Sequence, residues 1–101
     1  MGPKIQVKAI QAGTGSVYLQ KARFDISDPQ LWLCLLLFAQ EKLPTPYLIP
    51  AAAWRQETPL FRDHPYDQPG QTSKPEYGLN LSRKNLPLLT PFSFEKMIKD
   101  F

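Results

Sequence analysis

The sequence predicts a mixed α/β (α+β) fold, with a largely antiparallel sheet of about five strands and a C-terminal helix. Three observations predict it. Polar and apolar residues alternate with period two in Lys4–Gln11, which is typical of a half-buried strand. A continuous apolar run fills Leu31–Ala39, as in a strand buried on both faces. Apolar residues at helical spacing end the chain, in Ser93–Phe101, and indicate a helix packed on the core.

The 101 residues fit a single domain. We divide it into a β-rich core over 3–56, a long Pro-rich loop over 57–75, and a last strand with the C-terminal helix over 76–101. Hydrophobic residues make up 43% and charged residues 21% of the chain. These are ordinary globular values and argue against wholesale disorder.

The single cysteine and the lack of a long apolar segment indicate the cellular compartment of the protein. One thiol, Cys34, has no disulfide partner within the chain and is typical of a reducing compartment. The longest apolar run has nine residues, whereas a membrane-spanning helix needs about twenty. The first residues carry two lysines and no apolar block, so we expect no signal peptide. These features predict a cytoplasmic protein without a membrane partner.

The first half of the chain predicts three strands. A turn containing Gly13 and Gly15 follows Lys4–Gln11, and Val17–Phe24 reads as a second strand. The short connection makes an antiparallel hairpin the simplest pairing. The run Leu31–Ala39 is open to two interpretations, because the preceding Ser27 or Asp28 could cap a helix and leucine favours helix. We favour a strand, since the run is continuous rather than periodic.

The second half predicts shorter elements. In chain order these are a strand at Tyr47–Ile49, a short helix at Ala51–Gln56, an irregular loop at Thr58–Pro75, a strand at Glu76–Leu81, a helical turn from Ser82 to just before Pro87, and the terminal helix capped by Ser93. A loop of this length is usually functional or mobile.

The residues with the clearest chemical potential are Gln6 and Lys8. On a strand, residues two apart face the same side, roughly 6.6–7 Å apart, while Val7 is expected to point into the core. An amide oxygen can help to hold Mg²⁺, and an ammonium can steady the negative charge of phosphodiester hydrolysis. Alternation of Gln and Lys on a solvated strand face is the ordinary alternative.

Gln6 and Lys8 belong to the first of several segments that follow one another along the chain. In order, the segments are IQVKA, a Gly-rich turn, VYLQKARF, LWLCLLLF and PYLIPAAAW. This order resembles the middle of a restriction-endonuclease-like domain of the PD-(D/E)xK nucleases. More closely, it resembles an uncharacterised branch in which a Q-x-K strand leads to an apolar strand and a YLIPS-W-like junction. The resemblance implies that Gln6 takes the place of an acidic metal ligand, that Lys8 takes the place of the catalytic lysine, and that an active enzyme would use Mg²⁺.

The sequence departs from this family at its front. The family's domain begins with a helix and with a strand that carries an essential aspartate, but five residues precede Gln6 here. We therefore expect the domain to be incomplete or inactive as a nuclease. Asp25, which could approach the start of the first strand near Lys4, is a candidate replacement metal ligand beside Gln6. The chain could be a fragment, a degenerate relative, or a domain completed by a partner.

Two further surfaces are candidates for binding. Lys21, Arg23 and Arg55 could contribute to a nucleic-acid surface, and the net charge of +3 is compatible with a polyanion. Asp63, His64 and Asp67 could bind a metal, but they lack a known ligand spacing, and a solvated loop is favoured.

The first strand is expected to be an unpaired edge beside an exposed apolar face, which predicts a homodimer. The leading function is thus a nuclease-related domain acting on nucleic acid. The alternatives are a non-catalytic interaction or dimerisation module, such as an accessory subunit, and a simple nucleic-acid-binding protein.

Overall fold

The computed structural model describes residues 2–13 and 15–101. Within these residues, six strands form two three-stranded sheets. The strands are β1 (Lys4–Gln11), β2 (Ser16–Gln20), β3 (Leu31–Phe38), β4 (Thr45–Pro50), β5 (Phe61–His64) and β6 (Glu76–Asn80). The helices are short: α1 (Phe94–Met97) and 3₁₀ helices at Lys21–Arg23, Ala51–Arg55, Arg83–Phe92 and Ile98–Asp100.

The first sheet has the strand order β1-β3-β4, and the second has the order β2-β6-β5. The β1-β3 pair is parallel, and the other three described pairs are antiparallel. The expected mixed α+β content and the largely antiparallel pairing are therefore confirmed. The expected single sheet is wrong, because the strands divide into two sheets that enclose the core between them.

The apolar run predicted as a strand is confirmed as β3. Its alternate side chains Leu31, Leu33 and Leu35 are buried in the main core cluster, and we call this side of the first sheet the inner face. Trp32 points to the opposite, outer face, where its ring contacts that of Phe101 at a centroid distance of 5.5 Å. Cover on both faces explains why the run lacks polar residues.

The predicted hairpin between the first two strands is wrong. β1 pairs in parallel with β3, and β2 pairs with β6 in the other sheet. Gly13 and Gly15 both have positive φ, at 88° and 109°, which is a conformation that glycine adopts without steric cost. They belong to the connection that carries the chain from one sheet to the other. Thr14, within the predicted turn, lies outside the described residues.

The second predicted strand is too long. β2 ends at Gln20, and Lys21–Arg23 forms a 3₁₀ turn. The turn changes the direction of the chain so that Phe24, which is 1% exposed, enters the core. There its ring meets that of Trp54 edge to face at 5.2 Å. Burial of a large aromatic side chain outweighs the local preference for extended structure in this segment.

The segment 57–75 is not a single loop, because it contains β5. Phe61 is buried while Arg62 and Asp63 are exposed. A strand with one buried side chain has little periodic signal, and β5 forms because β6 offers it a pairing edge. Three helical predictions also change in type or length. The segment after Pro50 is 3₁₀, the Ser82 turn extends past Pro87, and the terminal helix is α1 followed by a 3₁₀ turn.

Candidate functional site

The predicted pair Gln6 and Lys8 lies on β1, the edge strand of the first sheet. Their register partners on β3 are Leu33 and Leu35, and paired residues of adjacent strands point to the same face. Gln6 and Lys8 therefore share one face, as the sequence predicts, but that face is the inner one rather than the face opposite the core. Ile10, two residues further along, packs against the core, whereas Gln6 is half-buried and Lys8 is exposed.

The prediction that Val7 points into the core is wrong. Val7 pairs with Cys34 on the outer face, where it is 60% exposed and Ile5 is 49% exposed. The reason lies in the C-terminal segment, which covers only part of this face. α1 packs against β4 and Phe101 packs against Trp32, while the outer side of β1 receives no such cover.

The side chain of Gln6 is tied to the neighbouring 3₁₀ turn. Its amide nitrogen donates a hydrogen bond to the backbone carbonyl oxygen of Arg23. The contact joins the Q-x-K strand to the turn that carries two of the predicted nucleic-acid-binding residues. The side chain of Arg23 is exposed, as is that of Lys8, two residues after Gln6 on β1.

The other two predicted basic residues serve the fold. Lys21 forms an ion pair of 2.5 Å with Asp63, and its ammonium lies 4.7 Å above the ring centre of Tyr77. The guanidinium of Arg55 donates to the backbone carbonyl oxygen of Ile26 at 3.1 Å. These contacts anchor segment 21–27 and leave Arg23 as the more available cation of the three.

Asp25 lies close enough to the start of β1 for the charge of Lys4 to act on its carboxyl, although the hairpin expected to bring it there does not form. Ser27 donates to its Oδ1 through the hydroxyl at 2.6 Å and through the backbone N–H at 2.9 Å. The hydroxyl bond is the main cause that lowers the pKa of Asp25, the backbone bond adds to it, and the charge of Lys4 contributes as well. The carboxylate is thus ionised at neutral pH, but it is already engaged by its own loop.

The acidic partner of β1 is Asp28, which the sequence suggested only as a helix cap. Its Oδ2 lies 2.9 Å from Nζ of Lys4, and its Oδ1 accepts the backbone N–H of Gln30 at 2.9 Å. The backbone bond and then the Lys4 contact lower the pKa of Asp28. An Asp followed by Pro at a turn is the signal that could have identified this role.

The residues present do not fit the magnesium site that the family resemblance implies. Magnesium prefers about six oxygen ligands, including carboxylates. Among residues 2–13 and 15–101, no group of three or more His, Cys, Asp or Glu side chains could hold a metal ion. Gln6 would bring a neutral amide, and Asp25 is bonded to Ser27.

The site consists of an edge strand with a polar inner face, two exposed cations and an apolar outer face. Over the described part of the chain, no helix is long and apolar enough to cross a membrane. No family model matches the sequence, and neither the curated proteins nor the solved structures give a significant match.

Proposed function

We propose that this chain is a nucleic-acid-binding domain related to restriction-endonuclease-like nucleases, and that it does not cleave by itself. The main observation in support of this proposal is the hydrogen bond from the Gln6 side chain to the Arg23 carbonyl. It holds the Q-x-K strand against a basic turn, with Lys8 and Arg23 exposed beside it. Exposed cations suit the phosphate backbone, whose charge dominates non-specific affinity.

The lack of an acidic cluster in the described residues supports binding over cleavage. Phosphodiester hydrolysis with a metal needs ligands that hold the ion as well as a cation for the developing charge. Lys8 could supply the second requirement, and an added polypeptide would have to supply the first. The lone thiol, Cys34, supports a reducing compartment such as the cytoplasm for this role.

The test is the affinity of the protein for labelled single-stranded and duplex DNA and RNA, followed by fluorescence anisotropy at several salt concentrations. We expect Lys8→Ala and Arg23→Ala to weaken binding several-fold and each to reduce the salt slope by about one. Lys42→Ala removes an exposed lysine from the β3-β4 connection and should leave binding unchanged. Equal binding by all three variants would overturn the proposal.

Cleavage is assayed in parallel with Mg²⁺ and then Mn²⁺. The wild-type chain alone should leave every substrate intact. Metal-dependent cleavage that disappears in Lys8→Ala, but persists in Lys42→Ala, would mean that the chain holds a complete nuclease site.

A second candidate function is a protein-interaction module, and the outer side of β1 favours it. Ile5 and Val7 are largely exposed on a strand that has no described partner on its free edge. Exposed apolar edges recruit other strands. Amide hydrogen exchange tests this candidate: slow exchange at Ile5, Val7 and Ala9 would show that a strand covers the edge, and fast exchange at all three would contradict it.

A further inference from the structure

The free edge of β1 presents a defined set of backbone groups. The N–H of Lys4 points toward the β3 side of the strand and donates to the carbonyl oxygen of Gln30 at 2.8 Å. The N–H of Ala12 points to the same side and donates to the carbonyl oxygen of Phe38 at 2.7 Å. Backbone groups alternate in direction along a strand. The even-numbered residues therefore bond to β3, and the amides and carbonyls of Ile5, Val7 and Ala9 point away from the sheet.

We infer that β1 pairs with β1 of a second copy in an antiparallel register that places Val7 on the two-fold axis. This inference rests on the second candidate function, that β1 recruits a polypeptide, and names the partner. In this register Val7 lies opposite Val7 and Ile5 lies opposite Ala9. All three present their free groups to one another, which provides about six new backbone hydrogen bonds.

The side-chain pattern of β1 is self-complementary in this register. A two-fold axis perpendicular to the sheet keeps each face continuous, so the apolar residues Ile5, Val7 and Ala9 meet the same residues of the second copy on the outer face. Such cross-strand apolar pairs stabilise antiparallel sheets. The exposed fractions of Val7 and Ile5, 60% and 49%, show how much of their surface is available for burial.

Charge selects this register over its neighbours. With Val7 on the axis, Lys8 lies opposite Gln6 and Lys4 lies opposite Ile10, so no lysine faces a lysine. A shift of one pair in one direction puts Lys4 opposite Lys8, and a shift in the other puts Lys8 opposite Lys8. Like charges directly opposite each other destabilise a strand pair. Larger shifts pair fewer residues, because β1 spans Lys4–Gln11.

The choice of a second copy follows from this symmetry. A closed two-fold pair leaves no further edge of β1 exposed, whereas an open head-to-tail contact would continue into a fibre. The joined sheet also places Gln6 of each copy beside Lys8 of the other on the inner face. The polar groups of the two Q-x-K strands then form one row across the dimer.

Cysteine cross-linking tests the register in a Cys34→Ala background, which removes the native thiol. The Cα atoms of a hydrogen-bonded antiparallel pair are about 5.5 Å apart, within the range of a disulfide. Val7→Cys should therefore form a disulfide-linked dimer on mild oxidation. In Ile5→Cys the two thiols would be separated by about 13 Å along the strands and should not cross-link. Ile5→Cys combined with Ala9→Cys should cross-link again.

Light scattering after size-exclusion chromatography gives the mass. We expect twice the mass of the chain for the wild type, and a monomer for Val7→Lys, which places like charges on the axis. Val7 is exposed in the monomer, so the variant should keep the wild-type circular dichroism spectrum. A wild-type monomer at all concentrations would overturn the inference.

The pattern of cross-links distinguishes the inferred β1-β1 dimer from the more general interaction role of β1. A dimer in which Val7→Cys fails to cross-link, or in which Ile5→Cys does so alone, contradicts the register and the inferred interface while leaving an interaction role intact. Fast amide exchange at Ile5, Val7 and Ala9 in a monomer contradicts both.

Discussion

The indole Nε1 of Trp54 donates a hydrogen bond of 2.9 Å to the backbone carbonyl oxygen of Gly78. Trp54 lies in the 3₁₀ helix that directly follows β4 of the first sheet. Gly78 is the central residue of β6 in the second sheet. The ring of Trp54 also meets those of Phe24 and Phe61 edge to face, at 5.2 and 4.8 Å. One side chain thus links the two sheets through both a polar and several apolar contacts.

Trp54→Phe should destabilise the protein by about 1–3 kcal/mol, because it removes a buried hydrogen bond and leaves part of the space of the buried indole unfilled. The measurement is urea unfolding followed by far-UV circular dichroism, which does not depend on tryptophan fluorescence. Trp32→Phe is the control, since the described contact of Trp32 is with the Phe101 ring rather than a hydrogen bond. Equal losses in both variants would show that the hydrogen bond adds nothing beyond ring packing.

Gly78→Ala should destabilise the fold by about 1–3 kcal/mol, the usual range for overpacking. A β carbon at position 78 would lie 2.8 Å from Nε2 of His64 and 3.1 Å from its Cδ2, so the imidazole must move. That ring stacks on Tyr66 at 5.8 Å and would lose the contact. In a His64→Ala background the same substitution should cost far less, and an unchanged cost would contradict this account.

Ser27→Ala should raise the pKa of Asp25 toward its ordinary value of 3.8, because it removes the hydroxyl bond that lowers it most. A carboxyl with a depressed pKa in the folded state contributes stability above the unfolded pKa and loses it as the pH falls through the folded pKa. The variant should therefore unfold with a shallower dependence on pH below about 4. NMR titration of the side-chain carboxyl carbons measures the pKa, and urea unfolding at several pH values measures the pH dependence of stability.

Asp28 serves as the internal control in that titration. Its pKa is lowered by the Gln30 N–H and by Lys4, neither of which involves the Ser27 hydroxyl. It should stay depressed in Ser27→Ala, and an equal rise of both aspartates would point to a general loosening of the loop.

Cys34 should react slowly with iodoacetamide. Burial raises the pKa of its thiol above the ordinary 9.0, and the thiolate is the reacting species. Near pH 8 we expect alkylation several-fold slower than for glutathione, with the difference lost after unfolding in urea. Rapid alkylation of the folded protein would contradict the placement of Cys34 on the partly covered outer face.

Local sequence pattern was sufficient for the elements that carry a strong period or a long apolar run. β3 and β4 lie within a residue or two of their predicted bounds, because a central apolar strand and its Pro-bounded neighbour are marked by composition. The shared face of Gln6 and Lys8 follows from the two-residue period of any strand. These features depend on neighbours along the chain and need no tertiary information.

Pairing partners could not be predicted in the same way. The short connection that contains Gly13 and Gly15 favoured a hairpin. Instead, β1 pairs with β3, which begins only at Leu31. A hairpin with a short loop has the smallest entropic cost of loop closure. Pairing with β3, the most apolar strand, nevertheless allows β1 to bury more apolar surface. Likewise β5 is a strand because β6 holds it, and its own four residues carry little signal.

The sequence by itself determined the composition of the core, the central strand and the amide-lysine face of β1. Only the tertiary structure decided which face of β1 is covered. Val7 and Ile5 alternate with lysines as a half-buried strand should, but the register with β3 turns them outward, and the C-terminal segment stops short of them. A period-two pattern shows that a strand has two unlike faces, and only long-range packing fixes which of them meets the core.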